Sequence, residues 1–182
     1  MRRTLIAASA VAVMLVGLAA CSPKLEEGEV LEKEGDTFTI RLSKTIPMSI
    51  DKAWAGLQSP ENLEKYSESY QQTKLVKEEG NVKVLDYRVK ALGQVQAFTM
   101  QLTLEPDAKK VNLKTLESSL AEIDGSYELK ASDDGKSTTI IYRAIQKDKA
   151  NIPVPVSVQK TAIKGLFDDL VNGTLKQIEA QG

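Results

Sequence analysis

Apolar and polar residues alternate along "TFTIRLSKTI", residues 37–46, with Phe38, Ile40 and Leu42 on one face and Thr39, Arg41 and Ser43 on the other. A period of two marks a strand buried on one side. Pro47 closes it, and the period then becomes helical. In "SIDKAWAGLQ" the residues Ile50, Ala53, Trp54 and Leu57 share a face, with Ser49 placed as an N-cap. "SPENLEKY" predicts a second short helix: Ser59 caps it, Pro60 suits the first helical position, and Glu61 favours the positive end of the dipole.

From Tyr70 to Asp148 the strand period returns in six segments: "TKLVKEE", "NVKVLDYRVKAL", "QVQAFTMQLTLE", "KVNLKTLESSL", "SYELKAS" and "STTIIYRAIQK". Gly80-Asn81, Pro106-Asp107, Asp124-Gly125 and Asp134-Gly135 stand as turn signals between them, the spacing of successive antiparallel hairpins. In the third segment Phe98, Met100, Leu102 and Leu104 oppose Thr99, Gln101 and Thr103, so one face is buried and the other wet. "PVSVQKTAIKGLFDDLVNGTLKQIEAQ" closes the chain. There Ile163, Leu166, Phe167, Leu170, Val171, Leu175 and Ile178 make one helical stripe, with charged residues over much of the other face. Gly165, beside the stripe, is placed to allow close approach of the helix, and Gly173 to bend it. The whole predicts an α+β fold: a curved antiparallel sheet of about seven strands, two short helices after the first strand, and one long C-terminal helix covering the apolar face.

Such an order resembles the helix-grip fold of the START and Bet v 1-like superfamily, with its polyketide-cyclase-like and coenzyme-Q-binding-like members. The resemblance runs from about Asp36 to Gln181. Its most specific pieces are "IPMSIDKAWAGLQSPENLEKY", similar to the family's strand–helix–helix opening, and "IPVPVSVQKTAIKGLFDDLV", similar to its proline-led final helix. The resemblance implies a cavity between sheet and helix that holds an apolar ligand such as a lipid, sterol, quinone or polyketide. With strand alternation, it makes Leu85, Tyr87, Val89, Phe98, Met100 and Leu102 the cavity-side candidates on the sheet, and Ile163, Phe167, Leu170 and Val171 those on the helix. Plain core packing is the alternative for each. No shared catalytic motif comes with the resemblance, so it speaks to fold and site and not to chemistry.

The chain's beginning carries a different message. Arg2 and Arg3 precede an apolar run from Leu5 to Ala20 that ends in small residues, the parts of a secretory signal peptide over residues 1–20. A membrane-spanning helix needs about 20 apolar residues, and this run is shorter. Leu18-Ala19-Ala20-Cys21 resembles the lipobox of bacterial lipoproteins, which implies a diacylglyceryl group on the Cys21 thiol, cleavage before it and usually an acylated amino terminus. Ser22, rather than aspartate, then implies the outer membrane, facing the periplasm, if the host has two membranes. Residues 21–35 are rich in Glu, Lys and Gly and read as a flexible acidic tether, repelled from an anionic lipid surface and holding a domain of residues 36–182 clear of it, with a short strand around Val30 and Leu31 as the alternative within it.

Composition removes several chemistries. The chain has 182 residues and no histidine, which excludes Ser–His–Asp and Cys–His triads and the common His-containing metal sites. Cys21 is its single cysteine, so no internal disulfide forms. The net charge is −1, and −3 once Arg2 and Arg3 leave with the signal, giving no positive balance for nucleic acid. No cofactor or metal is expected. Asp86, Glu117 and Glu122 are the carboxylates a cyclase- or dehydrase-like enzyme would draw on, against a plain solvated role. Tyr87, Tyr127, Tyr142, Arg88 and Arg143 are candidates to orient a ligand's polar group, although alternation sets Arg88 opposite Tyr87. "NGT" at Asn172 matches a glycosylation sequon but falls inside a predicted helix. Three functions follow as expectations: first a lipid-anchored envelope protein that binds or carries a hydrophobic small molecule, then an envelope assembly or interaction protein whose core is filled, and last a cyclase- or dehydrase-like enzyme acting through tyrosine and carboxylate groups.

Overall fold

The computed structural model describes residues 22–150 and 153–180. The strands are β1 (Val30–Glu34), β2 (Thr37–Ile46), β3 (Tyr70–Glu79), β4 (Val82–Ala91), β5 (Gln94–Glu105), β6 (Lys110–Glu117), β7 (Ala121–Ala131) and β8 (Thr138–Asp148). They form one antiparallel sheet in the order β1-β2-β8-β7-β6-β5-β4-β3. Between β2 and β3 come helix α1 (Ile50–Leu57) and a 3-10 helix (Pro60–Lys65), and the chain finishes in helix α2 (Val156–Glu179). The helical connection carries the chain from β2 to the far edge of the sheet, and five hairpins walk back until β8 pairs with β2. This is the helix-grip fold, with its sheet curved about α2.

The alternation read along residues 37–46 holds for most of the strand: Phe38, Ile40, Leu42 and Ile46 are buried and Thr39, Arg41 and Thr45 exposed, while Ser43 and Lys44 are both half-buried. Their face joins Trp54, Leu57, Leu85, Val111, Leu129, Ile140, Phe167 and Val171 in one core. Helix α2 packs against α1, the 3-10 helix and β2. That contact depends on missing side chains. A Cβ on Gly56 would stand 2.6 Å from Ile178 Cδ1, and one on Gly173 would stand 2.7 Å from Leu63 Cδ1. Close approach is therefore at Gly173 and not at Gly165, whose Cβ direction is open and exposed.

Other departures have physical causes. The sheet has eight strands because β1 adds an edge where the sequence suggests a tether through residue 35. Leu31 is its one fully buried side chain, and Glu32 and Glu34 face out, so composition hides it. The preceding turn is also docked. Glu29, its side chain fully buried, accepts the Ser43 and Glu26 N–H groups at 2.8 Å each and lies 3.5 Å from Lys164 Nζ. Leu25 packs against the core. Asp124-Gly125 is not a turn but lies inside β7, where a Cβ on Gly125 would stand 2.4 Å from the Arg143 carbonyl oxygen of β8. A strand glycine is required by that backbone approach. Ser49 and Ser59 occupy cap positions, yet neither hydroxyl caps, and the second helix winds as 3-10.

Buried polar contacts fix α2 at both ends of the cavity described next. Lys33 Nζ sits 2.6 Å from Asp148 Oδ2, 2.8 Å from Gln159 Oε1 and 4.6 Å from the centre of the Phe38 ring. This joins β1, β8 and the first turn of α2. Further along the helix, Asp169 accepts hydrogen bonds from the Ser67 hydroxyl and, at 2.9 Å, from the Ser69 N–H. Partial burial pulls the Asp169 pKa up, but these hydrogen bonds outweigh it and leave the carboxyl below its ordinary value.

Candidate functional site

Under the N-terminal half of α2 the concave face of the sheet is not filled. A cavity of about 180 Å³ remains. Its floor comes from β5 and β6, through Phe98, Met100, Leu102, Val111 and Leu113, and its roof from Ala162, Ile163, Leu166, Phe167 and Leu170 of α2. Leu57, Pro60 and Leu63 close one end, while Ala91, Leu92, Leu120, Ala121 and Ile123 line the other. Alternation along β5 and the stripe on α2 direct these side chains inward. No Asp, Glu, Lys or Arg is among the lining residues described.

Eight of the ten cavity candidates read from the sequence lie on this wall: Tyr87, Val89, Phe98, Met100, Leu102, Ile163, Phe167 and Leu170. Leu85 and Val171 do not. Both are fully buried in the surrounding core, on the expected face but where neighbouring side chains fill the space. Cys21 lies outside the described residues. The carboxylate candidates are elsewhere: Asp86 accepts the Thr99 hydroxyl at 2.7 Å, Glu122 pairs with Lys149 at 2.9 Å, and Glu117 is exposed. Arg143 pairs with Glu128 at 2.6 Å and Arg88 is exposed, so neither lines the cavity.

Four tyrosines and three glutamines supply the wall's polar character. Tyr127 of β7 and Tyr142 of β8 are directly opposed in register and stack with ring centres 4.8 Å apart; Tyr142 also stacks on Phe167 at 6.1 Å. Tyr70 of β3 and Tyr87 of β4 meet edge-to-face at 6.1 Å. Sequence reasoning misses Tyr70, since it opens a charged, bulged edge strand without clear alternation. Burial raises the pKa of all four above the ordinary phenol value. At Tyr127 the neighbouring Tyr70, Tyr142 and Tyr87 add to the rise that burial causes. They stay protonated donors throughout the neutral range.

None of the four hydroxyls has a protein hydrogen-bond partner among the described residues. No fully sealed side-chain polar atom there lacks a partner, so these hydroxyls border open space. The cavity is the space that all four line. Three glutamines also line it: Gln159 binds Lys33 and the Val154 carbonyl, Gln146 binds Asp148, and Gln96 reaches only the neighbouring Gln94 at 3.4 Å. Leaving a hydroxyl unpaired costs about 1–3 kcal/mol. The four phenols are thus donors on the wall that no protein acceptor claims among the described residues.

The family model for "Polyketide cyclase / dehydrase and lipid transport" matches residues 37–181, nearly the whole described fold. The chain belongs to that family. Solved structures similar to this polyketide cyclase/dehydrase and lipid transport family member share its fold at low identity. An aromatase/cyclase, Zhui, from a Streptomyces species is 13% identical over 79% of this chain and 94% of its own, with a TM-score of 0.69. A START superfamily protein from Mycobacterium smegmatis is 11% identical over 79% of this chain and 99% of its own, at 0.63. Ara h 8.0201 is 13% identical over the same shares, at 0.61. A comparison with curated proteins found no significant match.

Proposed function

We propose that this protein binds a small hydrophobic molecule in the cavity beneath α2, and does so while held at a cell-envelope membrane by an acylated Cys21. The observation that carries the first half is the cavity itself, open, about 180 Å³, and walled by apolar side chains without a charge among those described. A dry cavity of about 150 Å³ already holds benzene, and pockets for drug-sized ligands run to about 300–1,000 Å³. The occupant is thus a one- or two-ring body, or the end of a longer lipid, sterol or quinone. Apolar burial at about 25 cal/mol per Å² supplies most of the affinity. An assembly role resting on a filled core is disfavoured by the open space, and a carboxylate mechanism by the absence of acids from its described wall.

The lipobox-like Leu18–Cys21 supports the anchor, and the host's membranes decide whether it faces the periplasm from an outer membrane. Mass spectrometry of a solvent extract from natively purified protein tests the binding half: an apolar compound should co-purify, and none from repeated preparations would sink it. Cys21→Ser tests the anchor. The variant should leave the membrane fraction, and its retention there after export overturns that half alone.

A further inference from the structure

The cavity wall combines two features that select for one kind of occupant. Its tyrosines form two pairs, Tyr70 with Tyr87 and Tyr127 with Tyr142, set in strands at opposite sides of the apolar β5–β6 floor. All four side chains line the cavity, and none of their hydroxyls has a protein partner among the described residues. At the same time the described wall has no cation to meet an anion and no carboxylate to meet an amine.

Resting on the hydrophobic-ligand reading above, we propose that the four tyrosines are its polar receptor and that the ligand is an uncharged, ring-sized molecule bearing a carbonyl or hydroxyl oxygen. A phenol donates one hydrogen bond and accepts others, so a ketone oxygen can take donation from more than one of the four, and an alcohol can both donate and accept. A pure hydrocarbon leaves all four hydroxyls unpaired. An ionised carboxylate gives up its hydration for a described wall that holds no counter-charge. Sites built on hydrogen-bonding groups reject analogues lacking the partner far more strongly than apolar pockets reject a change in size. The raised phenol pKa values agree with this, since they keep the donors intact.

Titration calorimetry with three two-ring probes separates the outcomes: 1-tetralone, tetralin and 2-naphthoate. The ketone should bind at least tenfold more tightly than either other probe. Tyr70→Phe and Tyr142→Phe should each narrow the ketone–hydrocarbon gap severalfold while leaving tetralin affinity within twofold. Equal binding of tetralin and tetralone overturns the tyrosine receptor and leaves the hydrophobic-ligand reading standing, as does tightest binding of the anion. Failure of all three probes to bind overturns both. Should a variant misfold, infrared spectroscopy of the wild-type complex gives the answer directly. The carbonyl stretch of bound tetralone should shift to lower wavenumber than in hexane, and a stretch at the hexane position refutes the hydrogen bonds.

Discussion

Replacing Lys33 by methionine keeps most of the side chain's apolar stem and removes its charge. In the wild-type fold the ammonium lies 2.6 Å from Asp148, and the two side chains are only 13% and 5% exposed. Without it, Asp148 keeps the Gln146 amide at 3.1 Å as its remaining side-chain donor, and the Gln159 carbonyl oxygen loses its lysine. Removing one partner of a buried pair costs about 3–5 kcal/mol, and the residual exposure of Lys33 places it near 3. For a domain of this size that is a fall in Tm of roughly 6–12 °C. The double variant Lys33→Met/Asp148→Leu removes both charges, so it should lose less than the two single variants added together. A coupling of about 2 kcal/mol from urea unfolding of the four proteins is expected. A single-variant loss below about 1 kcal/mol, or strict additivity, would refute the claim that the pair is buried and that β1 is part of the folded sheet.

Three other outcomes are expected. Gly125→Ala should destabilise by about 1–3 kcal/mol because its Cβ meets backbone of β8, whereas Gly165→Ala, with open space around an exposed helical site, should stabilise by about 0.5–1 kcal/mol; thermal melts of both check the contrast. Asp169 has a folded pKa below its ordinary value near 3.8, so its contribution is present above that value and is lost as pH falls through the folded one; the stability gap between wild type and Asp169→Asn should close over that acid range. The cavity tyrosines have raised folded values, so their contribution is complete below the unfolded phenol value near 10 and fades as pH rises beyond it. Ultraviolet titration should release these four phenolates together with alkaline unfolding, and early, independent ionisation would contradict their burial.

Periodicity makes most of the sheet and the apolar stripe of α2 legible, because a residue's face is a local property of spacing, but it does not show that Gln159, Thr174 and Gln177 are buried on that helix too. The β5 face and the α2 stripe are where the sequence points, and with them eight cavity residues. Whether a face meets a filled or an empty space is not local, which is why Leu85 and Val171 read the same as the wall. Tyr70 escapes because its strand is an edge, where burial leaves little alternation to read. Gly125 misleads for a related reason: aspartate before glycine suits a turn, but this glycine answers to a neighbouring strand distant in sequence. β1 is obscured by its glutamates, which are the outward side chains expected of an exposed sheet edge.

The buried carboxylate of Glu29 would set the length of the proposed mooring. It fixes the turn ahead of β1 to Ser43 and Lys164, and Leu25 packs beside it against the core. Only Ser22, Pro23 and Lys24 then lie between Cys21 and the first docked side chain. The four steps from Cys21 to Leu25 reach at most about 14 Å. With the acyl anchor proposed on Cys21, the domain would have a leash of only that length and would ride close to the bilayer surface, without sweeping the space beyond it. A molecule leaving the lipid would have the cavity within a single domain's breadth, and its transfer would be a step across a surface.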